Sequence, residues 1–213
     1  MDPSDIQLAA ATLTRDFFDR PTDLVARALI GCRVLHRDAQ AKGLPRLGRI
    51  VETEAYMGER DLACHAARGR TARTEVMFGP PGFAYVFFIY GMHFCLNAVT
   101  REPGRAEAVL IRAIEPLAHC LGRGDGPGLV CRALAIDRRL NGADLTASAL
   151  TFLGPERPAA AIAVGPRVGV EYAGAWARRR LRFWERCSPF VSRAGGARGH
   201  ASRRKGGRGM RAR

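Results

Sequence analysis

Between Gly79 and Leu117 the chain carries three β-prone runs separated only by turn sequences. The GPPG at 79–82 interrupts any regular element, because proline lacks an amide hydrogen and glycine loses the most freedom on ordering. AYVFFIY and HFCLNAV follow, joined around Gly91 and Met92, a spacing that predicts a hairpin. REPGRAE then makes a turn before a third run, AVLIRAIEPL. The flanks supply the cover such strands need. DRPTDLVARALIGC reads as a helix, with Pro21 in its first turn, Leu24, Ala28 and Leu29 on one face and Gly31 as its stop. GPGLVCRALAID predicts a second helix. CRVLHR and RIVETEAY read as strands divided by the polar loop DAQAKGLPRLG, and PRVGVEY as a further strand, whereas AGAWARRRLRFWE is basic and fits no single element. Strands in the middle and helices at the edges define an α+β chain with a mixed or antiparallel sheet.

A chain of 213 residues, 47% hydrophobic and 25% charged, is expected to form one globular domain with a sizeable core. No apolar run approaches the roughly 18–20 residues of a membrane span. The N-terminal MDPSDIQLAAATLTRDFF has acids where a signal sequence has bases, so a cytoplasmic location is expected. The six cysteines show neither CxxC pairs nor zinc-like Cys/His spacing and read as small buried residues of a reducing compartment. The net charge is +14, of which +8 lies in residues 193–213, leaving +6 on the rest. That Gly/Arg-rich tail is too poor in apolar residues to fold and is expected to be disordered. It suits non-specific attraction to phosphates, or only solubility.

Against this basic background stands VETEAYMGERDLACHAARG, Val51–Gly69. On a strand, Glu52, Glu54 and Tyr56 share one face, while Val51, Thr53 and Ala55 share the other. A solvated polar face is the ordinary reading of such a pattern. Arg112, however, interrupts the apolar run AVLIRAI and requires an anionic or hydrogen-bonding partner, for which one of the glutamates is the obvious candidate. In the hairpin, Tyr85, Phe87 and Ile89 alternate with Val86, Phe88 and Tyr90, and most of these belong in the core. Tyr90 lies at the turn, where an aromatic can pack ordinarily or act as a wedge between base pairs.

VETEAYMG, HAARGRTARTEVMFGPPGFAYVFFIYGMHFCLNAV, AVLIRAIEP, PRVGVEYAGAWA and LRFWERCSPFVS together resemble the alkyladenine (3-methyladenine) DNA glycosylase family, in order and with matching gaps from about Leu13 to Ser192. The resemblance implies a single mixed α/β domain with a curved, mainly antiparallel sheet, flanking helices and a protruding hairpin that enters DNA. It divides the chain into residues 1–12, a flexible N-terminus, 13–192, the glycosylase domain, and the basic tail. It implies that Glu54 is the general base activating water and that Arg112 helps to hold that water. Tyr56, His65 and Phe87 match positions that sandwich the flipped base, Asn97 matches one that discriminates against the guanine amino group, and Tyr90 matches the residue inserted into the minor groove. Phe87 stands where the best-known members carry tyrosine, Ala66 where serine is common, and Arg180 where some have proline.

The implied enzyme is a monofunctional hydrolase of N-glycosyl bonds that starts base excision repair. Its partner is double-stranded DNA containing damaged purines. It acts as a monomer without a cofactor, metal or membrane, and associates with the nucleoid of a bacterial-type cytoplasm through DNA. The chemistry is coherent: a base inside a duplex must be flipped out to expose C1′, and aromatic faces favour a cationic alkylated purine by about 0.5–2 kcal/mol. A cationic base leaves without protonation, so one carboxylate acting on water suffices. Glu52 is then a structural acceptor or a second acid. Three rivals differ in what they need. A lyase needs an amine, and the only lysines are Lys42 and Lys205. A metal-dependent nuclease would use Glu52, Glu54, Asp61 and His65 as ligands. A non-catalytic nucleic-acid-binding module would use Glu54 only as the ion-pair partner of Arg112.

Overall fold

The computed structural model describes residues 11–37, 44–89, 91–159 and 161–192. Tyr90, Lys42, Lys205, the first ten residues and the tail 193–213 lie outside them. The described chain forms helices α1 (Arg15–Phe18), α2 (Thr22–Ala28) and α3 (Pro127–Ala133) and strands β1 (Arg33–His36), β2 (Arg46–Tyr56), β3 (Ala84–Ile89), β4 (His93–Thr100), β5 (Glu107–Ala118), β6 (Leu150–Leu153), β7 (Ile162–Gly165) and β8 (Arg182–Glu185). All ladders are antiparallel. The sheet runs β3-β4-β5-β2-β1-β6, with β8 also on β2 and β7 on β8. It curls into a half-barrel with helices on its flank, the single mixed α/β domain expected.

The long strand β2 organises this sheet. β5 runs along one edge, while the other edge carries β1 against Arg46–Arg49 and then β8 against Glu52–Glu54. Where the neighbour changes, the β2–β5 register slips at Val51, so Ile50 faces Ile114 and Glu52 faces Ala113. It slips back at Arg112, so Thr53 faces Ile111. Such bulges bend the strand, sharpen its twist and re-aim side chains. One face of β2 is sealed by α2, to which Thr53 donates a 2.8 Å hydrogen bond at the Ala26 carbonyl. Phe18, Val25, Leu29, Ile50, Ile111, Val130, Leu134 and Phe152 form part of the core between sheet and helices.

Several expectations change. Helix α2 buries Thr22, Val25 and Ala26, with Leu29 just beyond its end, while Leu24 is 53% exposed and Ala28 is also outside the core. The buried positions are those spaced three and four apart, a stripe one step round from the one the sequence suggested. Strand β2 begins inside the expected loop, at Arg46. PRVGVEY forms no strand: Gly169 adopts φ +75°, and a 3-10 segment, Glu171–Arg178, follows with a kink at Gly174. The helix expected in GPGLVCRALAID is confined to Pro127–Ala133. Strands β6 and β7, four residues each, gave no strand signal. Cys32, Cys64, Cys95 and Cys131 are buried as expected, Cys120 is half-buried and Cys187 is exposed.

Two glycines clamp β5 at Ile114. A Cβ on Gly48 would stand 2.5 Å from Ile114 Cδ1, and one on Gly124 would stand 2.3 Å from Ile114 Cγ1 and 2.7 Å from the Ile114 carbonyl oxygen. The Ile114 amide donates to the Gly124 carbonyl at 2.9 Å, so the loop cannot retreat without losing that bond. Gly124→Ala should therefore destabilise the fold by about 1–3 kcal/mol, in the range of an overpacked core. Gly126→Ala is the control, because a Cβ there meets nothing closer than 3.9 Å. Equal denaturation midpoints for the two variants would refute the clamp.

Candidate active site

The alternation read in β2 holds, but its polar face is not solvated: Glu52 and Glu54 are both 0% exposed. Two carboxylates can be buried together only if cations and donors reach them. Glu52 is fully engaged. Its Oε1 accepts from Arg182 Nε at 2.6 Å and lies 3.2 Å from Arg112 Nε, and its Oε2 accepts from the Ser192 amide at 2.7 Å. Arg112 Nε also donates to Ser192 Oγ at 3.0 Å. The slip at Arg112 is what turns this arginine from the ladder towards the carboxylates.

Glu54 has a thinner shell. Oε1 accepts from the Val168 amide at 2.9 Å and lies 3.5 Å from Arg112 Nε, while Oε2 accepts from the Tyr56 hydroxyl at 3.0 Å. Burial pushes its carboxyl above the ordinary glutamate range, against the opposing pulls of Arg112, the Val168 amide and Tyr56. The Tyr56 phenol is likewise pushed well up, by burial first and then by the Glu54 charge, so it remains a donor.

In front of this carboxylate lies a cavity of about 110 Å³, comparable to cavities that admit a small aromatic ring. Tyr56, His65, Phe87 and Asn97 all line it, so the structure brings together four of the residues singled out in the sequence. Glu54 stands just behind the lining, one hydrogen bond from Tyr56 and one from Val168, and Arg112 stands behind Glu54. His65, from the 3-10 turn His65–Arg68, meets the Phe87 ring edge-to-face at 4.5 Å. Its Nδ1 lies 3.0 Å from the Tyr85 hydroxyl. Burial, reinforced by the cations of Arg73 and Arg68, lowers the His65 pKa to about 4, so the ring is neutral at physiological pH. Asn97 sits opposite Tyr85 in the β3–β4 ladder and donates its amide to the Tyr85 carbonyl at 3.0 Å.

Other components were not read as part of this cavity in the sequence, where Asp61 appeared only as a ligand in the metal-dependent reading. Val168, Gly169, Val170 and Tyr172 form one wall, from the segment expected to be a strand. Tyr85, assigned to the core, supplies the His65 partner. Arg167 and Asp61 form a wholly buried ion pair behind Tyr56. The chain offered one signal for the wall, the Val-Gly-Val within PRVGVEY, which fits a tight loop as well as a strand. The set a metal-dependent nuclease would need does not converge. Asp61 accepts from Arg167 and from the amides of Met57 and Ala63, and among the described residues no three His, Cys, Asp or Glu side chains gather as a metal would require. Nor is any described helix long and apolar enough to cross a membrane.

The curled sheet thus sets a buried carboxylate behind a cavity lined by aromatic rings. A family model described as "Methylpurine-DNA glycosylase (MPG)" matches residues 16–189. Relatives named "Putative 3-methyladenine DNA glycosylase" include those of Legionella pneumophila strain Corby, 46% identical over 182 residues (85% of this chain, 98% of theirs). Others come from Myxococcus xanthus, 50% identical over 184 residues (85% and 93%), and Anaeromyxobacter dehalogenans strain 2CP-1, 51% identical over 182 residues (85% and 85%). The protein is thus a hydrolase of N-glycosyl bonds that works on DNA in base excision. It belongs to the methylpurine-DNA glycosylase family.

The two carboxylates should respond differently to amidation. Glu52→Gln leaves Arg182 in a buried site without its anion, a loss of about 3–5 kcal/mol, and should lower the melting temperature sharply. Glu54→Gln removes a charge that burial disfavours and should leave the melting temperature unchanged or higher. Thermal melts at neutral pH test this, and equal drops would contradict the division.

Proposed function

We propose that the protein, as a monomer, flips an alkylated purine of the 3-methyladenine type out of duplex DNA and hydrolyses its N-glycosyl bond with a water activated by Glu54. The observation that carries this reading is the position of Glu54: buried, under-neutralised and directly behind a cavity lined by Tyr56, His65, Phe87 and Asn97. The names of the relatives favour the same substrate class.

In this mechanism the base stacks between the aromatic faces, and a neutral His65 places no cation against a positively charged ring. The water oxygen bonds to C1′ and its proton passes to Glu54. The C1′–N bond breaks, and its electron pair neutralises the cationic purine, leaving an abasic sugar and a free base. Arg112 holds the carboxylate and the water. Glu52, saturated by Arg182 and Ser192, keeps Arg112 in place. Asn97, at the cavity wall, is assigned the discrimination against an extra amino group on the base. Extrusion needs a filler for the vacated stack. Tyr90, the residue that follows Ile89 in the sequence, is assigned that role. The exposure of Phe88 (45%), near the end of β3, and Met92 (69%), just before β4, supports an apolar surface suited to entering DNA.

The direct experiment is incubation with methylated duplex DNA in EDTA, with chromatography of the released bases. Glu54→Gln should abolish release while retaining lesion binding; near-normal single-turnover excision by this variant would end the base assignment. The wild-type rate should fall on acidification through the raised pKa of Glu54, at a higher pH than an ordinary glutamate would give. The sign for stability is opposite: a carboxyl whose folded pKa is raised stabilises most when protonated, and that contribution is lost as pH rises through the folded value.

Tyr90→Ser separates wedge from packing. Flipping costs a few kcal/mol, least for a poorly paired lesion. The variant should lose most rate on a stably paired lesion and least on a mismatched one, at an unchanged melting temperature. Uniform loss across pairings would reject the wedge.

A further inference from the structure

The segment 166–172 supplies both a wall of the cavity and the amide that Glu54 accepts, yet it belongs to no strand. What holds it is Arg167. The guanidinium Nη1 and Nη2 reach the two oxygens of Asp61 at 2.5 and 2.8 Å, Nη1 also donates to the Ala55 carbonyl of β2 at 2.9 Å, and the cation lies 4.7 Å from the centre of the Tyr56 ring. Both side chains of the pair are 0% exposed. Asp61 in turn accepts from the Met57 and Ala63 amides, each at 3.0 Å, so the pair ties the end of β2, the turn that follows it and the 166–172 loop into one rigid corner. Val168, the next residue after Arg167, then has little freedom in where its amide points. Tyr56 is caught between Arg167 and Glu54, to which its hydroxyl donates.

We infer that Arg167, clamped by Asp61, is a positioning residue for Glu54: it fixes the Val168 amide against Oε1 and holds a buried positive charge across the Tyr56 ring from the carboxylate. This rests on the reading of Glu54 as the base. The arrangement divides the labour among the charged and titratable groups around Glu54. On its own strand stand Glu52, which opposes its ionisation, and Tyr56, which donates to it. Arg112 approaches from β5, Arg182 of β8 is spent on Glu52, and Cys95 of β4 lies near enough to feel the Glu54 charge. Arg167 and Asp61 approach from the far side of Tyr56. Because the pair is neutral as a whole, its two halves should act on Glu54 in opposite senses when removed singly. Loss of the cation leaves an anion and makes Glu54 harder to ionise; loss of the anion leaves a cation and makes it easier.

The test is the acid limb of single-turnover excision on methylated duplex DNA, with melting temperature and lesion binding measured alongside. Arg167→Gln should move the limb to higher pH by about one unit, and Asp61→Asn should move it to lower pH by a similar amount. Arg167→Lys keeps the charge but not the fork. It should leave the limb in place while lowering the plateau rate at least tenfold, through the misplaced Val168 amide. A merely structural pair would lower rate or melting temperature in all three variants without moving the limb in opposite directions, and that pattern overturns the inference. Should Asp61→Asn not fold, the two Arg167 variants decide alone: a limb that stays put in Arg167→Gln, or a full plateau in Arg167→Lys, refutes positioning. The outcomes remain separable from failure of the base assignment, which is read from Glu54→Gln. If that variant is inactive and the limbs still do not diverge, only the positioning role falls.

Discussion

Two carboxylates buried two residues apart in one strand are the costliest feature of this structure, and their neutralisation dictates much of the fold around them. In a dry environment each charge must find cations and donors or the fold does not form. Glu52 requires Arg182, which comes only if β8 lies against β2 at that level, and the Ser192 amide, which comes only if the chain returns after β8. Glu54 requires the Val168 amide and therefore the loop between β7 and β8. Both share Arg112, which reaches them only because the β2–β5 ladder slips there. The chain from Ile162 to Ser192 is thus joined to the sheet by polar bonds to β2 as much as by apolar packing.

This dependence accounts for what could be read from the residues alone. The common face of Glu52, Glu54 and Tyr56 was legible because strand alternation is local. The need of Arg112 for an anion was legible because a guanidinium inside an apolar run is too costly to bury without one. The burial of that face was not legible, because its partners lie far along the chain: Arg182 is 130 positions from Glu52 and Val168 is 114 from Glu54. His65, Phe87 and Asn97, which the family resemblance singled out together with Tyr56, line one cavity with it. The misreadings were local. PRVGVEY alternates like a strand, but Gly169 at φ +75° turns the chain and Arg167 is spent on Asp61. Helix α2 is so short that displacing its apolar stripe by one position exposes Leu24, while Leu29 stays buried as expected. The four-residue strands β6 and β7 hold too few residues for a period to emerge.

The cavity wall itself carries no titrating charge near neutrality. His65 is held neutral by burial and by the cations of Arg73 and Arg68, and the Tyr85 phenol is pushed up to about 12, chiefly by burial. The linkage has a definite sign. A histidine whose folded pKa is lowered contributes stability above its unfolded value of 6.5, and that contribution drains away as pH falls towards 4. A ring entering the cavity therefore meets π faces and hydrogen-bonding edges, with charge set back behind them. Phe87 offers the cavity an apolar ring face with no polar edge of its own.

The same strand thus carries two carboxylates with opposite endowments, and the difference lies wholly in their partners. Glu52 has two arginines within 3.2 Å and a backbone amide, so its charge is satisfied in place. Glu54 shares one of those arginines at 3.5 Å and otherwise relies on neutral donors, so burial prevails and its proton affinity rises. A carboxylate whose oxygens are taken by two arginines and an amide makes a rigid support. An under-neutralised anion gains when it accepts a proton, and so makes the better base. Placing the first directly beside the second lets one arginine serve both, steadied by Glu52 while it faces Glu54. The cost is a fold that is least content when Glu54 is ionised, the state its proposed chemistry requires.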